Sequence, residues 1–163
     1  MSRTSVRVST ITVSDTRTAE TDESGRLLGE LLTAAGCQLV SHSIVPDDRE
    51  TLQALARELA DREDVDALIL CGGTGISARD STIEAIEPLL DKRLDGFGEA
   101  FRRLSYDEIG ARALLSRALA GTRAHTLLIA LPGSTGAVRL AIPTLVAPLL
   151  EHAVALLHGH TRH

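Results

Sequence analysis

An α/β sandwich on a mainly parallel sheet is the fold class this sequence predicts, and three observations predict it. Apolar, β-branched stretches alternate with segments of helical period along most of the 163 residues. The links between those stretches are long enough to hold a helix, which is what parallel neighbours require, and right-handed crossovers lay such helices on the sheet faces. Several apolar stretches also end in polar or glycine-rich loops, at 46–48, 72–80 and 132–134. In a parallel sheet, ligands gather at such strand ends.

The first element is a strand. VRVSTITVSD, residues 6 to 15, carries Val6, Val8, Ile11 and Val13 as a strand near the sheet centre would, and stops at Ser14-Asp15. Asp22 to Ser24 offer helix caps, and Leu27, Leu28, Leu31 and Leu32 share one face of a helix that Gly36 ends. Residues 38–45 read as the second strand. Pro46-Asp47-Asp48 opens a second helix with an apolar face of Leu52, Leu55, Ala56 and Leu59. A third strand, 65–71, runs into Gly72-Gly73-Thr74-Gly75, and Ser81-Thr82 begin a short helix with Glu84 near its positive end. Pro88 is expected to end that helix. After a polar connection, residues 96–115 read as mostly helical, and 126–131 form the last clear strand, closing in Pro132-Gly133-Ser134. From Val138 to Leu157 the period is again helical, with Pro143 and Pro148 expected to kink or split it. The tail 159–163 is expected to be loose.

Composition narrows the function classes. The length favours a single domain spanning residues 1–163, with its core at about 6–158. The opening MSRTSVRVST lacks the apolar core of a signal peptide, and no run of roughly 18 apolar residues suggests a membrane span, so a cytoplasmic protein with no membrane partner is expected. A net charge of -5 argues against a broad nucleic-acid surface, and an aromatic content of 2% leaves few stacking platforms. Cys37 and Cys71 follow no metal or redox spacing and read as buried or half-buried thiols. A small-molecule site, with any anion met locally, is the class that remains.

LILCGGTGISARDST, residues 68 to 82, is the most informative stretch. Glycine weakens a strand, so Gly72, Gly73 and Gly75 are explained by a backbone that something approaches closely, with successive amides able to cradle an anion. The plainer reading is a tight turn without a ligand. Neither familiar phosphate motif fits: no Gly-Lys-Ser or Gly-Lys-Thr follows, and Ala78 stands where a dinucleotide fingerprint needs its last glycine. Asp80 and Asp47 each read either as a helix cap or, since both lie in strand-end loops, as a pair holding magnesium against a polyphosphate. Arg79, Arg102 and Arg103 supply local positive charge or are simply solvated.

Six motifs then occur in order: TVSDTR, IVPDD, GGTGISARDST, DGFGEAFRRLSYDEIG, LLSRALAG and LPGS. Together, from about residue 6 to residue 150, they resemble the MogA/MoaB family of molybdenum-cofactor biosynthesis proteins, and DGFGEAFRRLSYDEIG looks closer to the MoaB branch. The resemblance implies a molybdopterin-binding fold, a three-layer α/β/α sandwich that assembles as trimers or as hexamers of two trimers. It also implies a reaction with Mg-ATP and molybdopterin as substrates: AMP passes to the terminal phosphate of molybdopterin and pyrophosphate is released. In-line displacement at the α-phosphorus needs positioning and charge neutralisation more than a covalent nucleophile.

Carried onto this chain, the resemblance puts Asp47 and Asp80 at the family's two essential aspartates, for magnesium and for orienting phosphates, with Asp48 as a nearby backup. Gly72, Gly73, Thr74 and Gly75 would line the nucleotide or pterin phosphate. Gly96, Gly98 and Glu99 resemble a ligand loop, or else form an ordinary helix start with a favourable acid. Ser105, Ser116, Arg117, Pro132, Gly133 and Ser134 fill the remaining motif positions, with backbone contact from the LPGS turn. His152, His158, His160 and His163 form no supported ligand set and read as a solvated tail. Phe97, Phe101 and Tyr106 read as core or subunit-interface packing. Because some MoaB-type proteins have no clear catalytic assignment, the alternative to an adenylyltransferase is an oligomeric molybdopterin or nucleotide carrier. A scaffold for other molybdenum-cofactor assembly proteins is the weaker third reading.

Overall fold

The computed structural model describes residues 5–160. Residues 161–163 of the expected loose tail, His163 among them, and residues 1–4 of the opening stretch lie outside the described residues. Six strands, β1 (Arg7–Val13), β2 (Gln38–Val45), β3 (Ala67–Cys71), β4 (Lys92–Arg93), β5 (Leu119–Arg123) and β6 (Thr126–Leu131), form one sheet in the order β2-β1-β3-β6-β5-β4. β2, β1, β3 and β6 are parallel to their neighbours, whereas β5 runs antiparallel to β6 and β4 antiparallel to β5. The mainly parallel expectation holds for four strands, and two antiparallel strands were missed.

The missed hairpin has a physical reason. Only Ala124 and His125 join β5 to β6, and Ala124 takes the left-handed conformation (φ 48°) without the Asn-Gly or Asp-Gly that normally announces such a turn. Asp91 supplies what the turn lacks: its carboxylate accepts the Ala124 amide at 2.7 Å, and its own amide donates to the Thr122 carbonyl at 2.7 Å.

Alternation along the strands builds two cores. Ala67, Ile69 and Cys71 of β3 face one cluster and Leu68 and Leu70 the other, and all five are buried. On the first face lie α1 (Glu23–Ala34), α4 (Asp95–Ile109), α5 (Thr135–Ala141) and α6 (Ala147–Leu157), through Leu28, Phe101, Val138 and Leu150. On the second lie α2 (Arg49–Ala60) and α3 (Thr82–Ile86), through Leu52, Ala56 and Ile86. Each such leucine removed from water stabilises the sandwich by about 1.5–3 kcal/mol. Phe97 and Phe101 pack as expected, but Tyr106 is 52% exposed and belongs to neither core.

Local signals act where they were read, with adjustments. Asp22 caps α1 by accepting the Gly25 amide at 3.0 Å, and Gly36 (φ 87°) follows the helix in the left-handed conformation. Asp48 alone caps α2, accepting the Thr51 amide at 2.9 Å. Pro88 ends α3 in a short 3-10 turn at Glu87–Leu89. The prolines of the last helical stretch split it: a π turn, Ile142–Val146, separates α5 from α6, because Pro143 and Pro148 donate no backbone hydrogen bond. Taken as one, Thr135–Leu157 is 23 residues and apolar enough by length and composition to cross a membrane, a run the sequence reading passed over. Here its inner face, Val138, Ala141, Ile142, Val146 and Leu150, is seated in the first core.

The amino-terminal end of the sheet is held by Asp66, which accepts from Arg7 N at 2.8 Å, Nε at 3.0 Å and Nη2 at 2.9 Å, and pairs with His158 Nε2 at 3.1 Å. His125 stacks on His158 with ring centroids 5.7 Å apart, and His160 stacks on His158 at 6.4 Å. His158 is therefore engaged by Asp66, whereas His152 and His160 are exposed, as a solvated tail would be.

Candidate functional site

The carboxyl ends of β1, β2, β3 and β6 converge, and the glycine loop after β3 is the centre of that convergence. Gly72 (φ 112°) could carry no side chain, since a Cβ would lie 2.3 Å from the Val13 carbonyl. The loop's carbonyls are all turned back into the protein. Gly72 O accepts the Thr82 hydroxyl (2.7 Å), Gly73 O the Thr82 amide (3.1 Å), Thr74 O the Arg117 amide (3.0 Å) and Gly75 O the Arg117 Nε (2.9 Å). The amides of residues 73–76 donate to no group among the described residues. A run of amides with its carbonyls tied away is the arrangement from which an anion cradle can be built.

The two aspartates flank this cradle. Asp47 Oδ1 accepts from the Ser81 amide (3.0 Å) and hydroxyl (2.5 Å), which leaves Oδ2, beside Gly73, without a protein donor among the described residues. Asp80 Oδ2 accepts the Ser77 amide at 2.9 Å, and its other oxygen has no donor either. Neither caps a helix, so that plainer reading is corrected for both: α3 has no side-chain cap, and α2 is capped by Asp48. The Thr51 hydroxyl and amide both reach one Asp48 oxygen and hold its carboxyl below the usual range.

Beside the loop lies a cavity of about 430 Å³, lined by Gly73, Thr74, Gly75 and Asp80, by α4 at Phe101, Ser105, Glu108 and Ile109, by Arg112 and Ser116 beyond it, and by Pro132, Gly133 and Ser134 at the β6 end. Nine residues expected from the sequence thus share one wall system: Gly73, Thr74, Gly75, Asp80, Ser105, Ser116, Pro132, Gly133 and Ser134. Asp47 and Gly72 do not line the cavity; Asp47 Oδ2 lies beside Gly73. Arg117 turns its side chain to Gly75 O and to the Glu84 carboxylate, whose carboxyl it holds low, so it clamps the loop and does not face the cavity. Gly96, Gly98 and Glu99 fall within the first turns of α4 and are not cavity residues. Gly98 lets the helix approach the Ala118 carbonyl, where a Cβ would sit at 2.7 Å, and Glu99 is exposed.

Other residues of this region were not anticipated. Glu108 and Arg112 bring a carboxylate and a guanidinium to the cavity wall. Arg17 donates to the Gly133 carbonyl (3.2 Å) and to the Ser24 hydroxyl, with Asp22 3.9 Å away. Asp22 is buried; desolvation alone would raise its carboxyl, but hydrogen bonds from Thr12 (2.8 Å), His42 (2.9 Å) and the Gly25 amide hold it below the usual range. Asp15 accepts the Asp47 amide at 3.0 Å and pairs with Arg79. The signal for these was the end of the first strand, Ser14-Asp15, which lies at the same edge as the other three loops. Arg102, read as a surface residue, is half-buried and donates to the Ala118 carbonyl at 3.0 Å. Beneath the floor, burial pushes the Cys71 thiol up.

Comparison with known proteins shows the family. Residues 9–152 match the sequence family described as "Probable molybdopterin binding domain". Molybdenum cofactor biosynthesis protein B of Bacillus cereus is 51% identical over 154 residues, 94% of this chain and 91% of that one. A crystal structure of molybdenum cofactor biosynthesis protein B superposes with a TM-score of 0.94 at 49% identity, covering 98% of this chain and 99% of its own. The tungsten cofactor synthesizing protein MoaB of Pyrococcus furiosus superposes at 0.80 with 38% identity, over 92% and 98% of the two chains. This chain belongs to the MogA/MoaB family of molybdenum cofactor biosynthesis proteins, within its MoaB group.

Proposed function

We propose that this protein transfers the AMP moiety of Mg-ATP to the terminal phosphate of molybdopterin and releases pyrophosphate. The observation that carries the reading is the glycine loop: four carbonyls tied back, the amides of 73–76 open, and two carboxylates beside it each with one uncommitted oxygen. Open amides suit phosphate oxygens, and a cavity of about 430 Å³ is of the size that holds a small organic substrate.

A bare pair of carboxylates repels a polyphosphate, so a counter-ion is required. Among the described residues no group of three or more His, Cys, Asp or Glu is placed to hold a resident metal. Two acids with one free oxygen each fit a magnesium ion that arrives with the nucleotide, since Mg²⁺ binds through one or two carboxylates plus substrate phosphates and water. When bound, the ion neutralises phosphate charge and orients the leaving group. The chain's own residues do the rest. Asp47 and Asp80 hold their carboxylates on either side of the loop, the amides of 73–76 orient phosphate oxygens, and the walls from α4 and the 132–134 turn exclude water. A terminal phosphate oxygen of molybdopterin forms the new bond to the α-phosphorus as the bond to the bridging oxygen breaks, and that electron pair leaves with pyrophosphate. No protein nucleophile is needed.

The test is adenylylated molybdopterin formed from purified protein, molybdopterin and Mg-ATP, beside Asp47→Asn and Asp80→Asn. Product that disappears in both folded variants supports the enzyme. Saturable ligand binding by the wild type without any product would replace it with an oligomeric molybdopterin or nucleotide carrier.

A further inference from the structure

We infer that Asp15 is a positioning residue of the nucleotide site, setting the direction of Asp47 and holding Arg79 ready for an incoming polyphosphate. The inference rests on the adenylyl-transfer reading above. Asp15 follows β1, and its two oxygens serve two different loops: Oδ1 accepts the Asp47 amide at 3.0 Å, and Oδ2 pairs with the Arg79 guanidinium. Asp47 in turn accepts the Ser81 amide at 3.0 Å. Because Arg79 and Ser81 are two residues apart in the chain, these contacts close a ring through the ends of β1, β2 and β3. The backbone of Asp47 is thereby fixed at its amide and its side chain at Oδ1, which leaves Oδ2 with a defined direction beside Gly73.

Arg79 has the opposite character. Its side chain is 71% exposed and that of Asp15 28%, so the pair is solvated, weak and quick to exchange partners. A triphosphate presents several charges against one carboxylate, and draws the guanidinium away from Asp15 on arrival. Arg79 directly precedes Asp80, so the cation is released next to the acid that meets the same phosphates.

Asp15→Asn and Asp15→Ala separate the two duties. Asn keeps an oxygen for the Asp47 amide and loses the charge toward Arg79; Ala loses both. With full-length protein, kcat and KM for Mg-ATP are measured in the adenylylation assay, and Mg-ATP affinity by calorimetry. Asp15→Ala is expected to lower kcat about tenfold, as misdirection of a catalytic group does. In Asp15→Asn, kcat stays within about twofold while KM for Mg-ATP falls about two- to threefold, because Arg79 no longer has to leave a partner. Arg79→Met raises KM about tenfold, and adding Asp15→Asn to it changes KM no further. A purely structural staple would lower thermal stability without this division between kcat and KM. Folded Asp15→Ala with wild-type kcat and wild-type Mg-ATP affinity overturns the inference alone. Should Asp15→Ala not fold, Asp15→Asn with an unchanged KM overturns it equally. Wild-type protein that neither binds Mg-ATP nor forms product removes the adenylyl-transfer reading and this inference with it. If it binds Mg-ATP without turnover, an unchanged affinity in Asp15→Asn counts against Asp15.

Discussion

Asp66 and Asp80 are the same chemical group at opposite ends of one strand, β3, and they are treated differently. Asp66, with 7% of its side chain exposed, receives Arg7 through one backbone and two side-chain nitrogens and His158 through a fourth contact. Burial alone would raise its carboxyl, but these donors, Arg7 first, hold it below the usual range. Asp80 receives a single amide, and Asp47 beside it directs one oxygen at Ser81 and leaves the other open. The difference teaches how to tell a supporting carboxylate from a ligand-facing one. Saturation with internal donors means that the fold has used the charge; an open oxygen next to open amides leaves the charge available to something outside the chain.

Substitutions at both ends break or sharpen this contrast. The largest effect is expected at the floor of the open end. Gly72→Ala forces a Cβ to 2.3 Å from the Val13 carbonyl in a left-handed conformation, and should cost about 3 kcal/mol or more in urea unfolding. Asp66→Ala should follow, at about 2 kcal/mol, since it strips Arg7 and His158 of their acceptor, while Mg-ATP binding stays at the wild-type level. An altered nucleotide affinity there would falsify the separation of the two ends. Acid titration comes next. Asp66 and Asp22 have folded-state values below their ordinary one, so their stabilisation is fully present above about pH 4 and is lost as pH falls through the lowered values. Asp66→Asn should therefore lose less stability than the wild type between about pH 4 and pH 2 by circular dichroism. The smallest change in stability is expected for Asp80→Asn, within about 0.5 kcal/mol, together with loss of adenylyl transfer. A large drop in melting temperature in that variant would show that the open carboxylate supports the fold after all.

The sequence made some of this legible and hid the rest. The four parallel strands were readable because β-branched or other apolar residues recur in each and a loop signal ends it, and the three-layer fold was implied once the six motifs resembled a known family. β4 has only two residues, both charged, and β5 ends in a turn without turn residues, so neither carries a local signature. In the site, Gly73, Thr74, Gly75, Asp80 and the 132–134 turn were found because strand-end loops announce themselves. Glu108 and Arg112 were not, because they project from the end of α4 and the turn beyond it, where polar residues on an exposed face look alike until the sheet is placed. Arg117 was named by motif position alone, and only the geometry showed its guanidinium turned to Gly75 and Glu84. The histidines misled in the opposite direction, since nothing local links His158 to Asp66, 92 residues away.

The close approach of Gly133 to Gly72 bears on how the site moves. A Cβ on Gly133 would lie 3.2 Å from the Gly72 Cα, the Gly72 amide donates to the Leu131 carbonyl at 2.9 Å, and Arg17 holds the Gly133 carbonyl at 3.2 Å. The ends of β3 and β6 are thus in backbone contact and cannot shift separately. Mobility is left to the rim, where Ile76 is 68% and Leu114 66% exposed. In amide hydrogen exchange, the Gly72 amide should open only with global unfolding, while amides 76–79 exchange through local fluctuations, many orders of magnitude faster. The base of the site is thus stationary, and adjustment to a ligand falls to the loop residues at its brim.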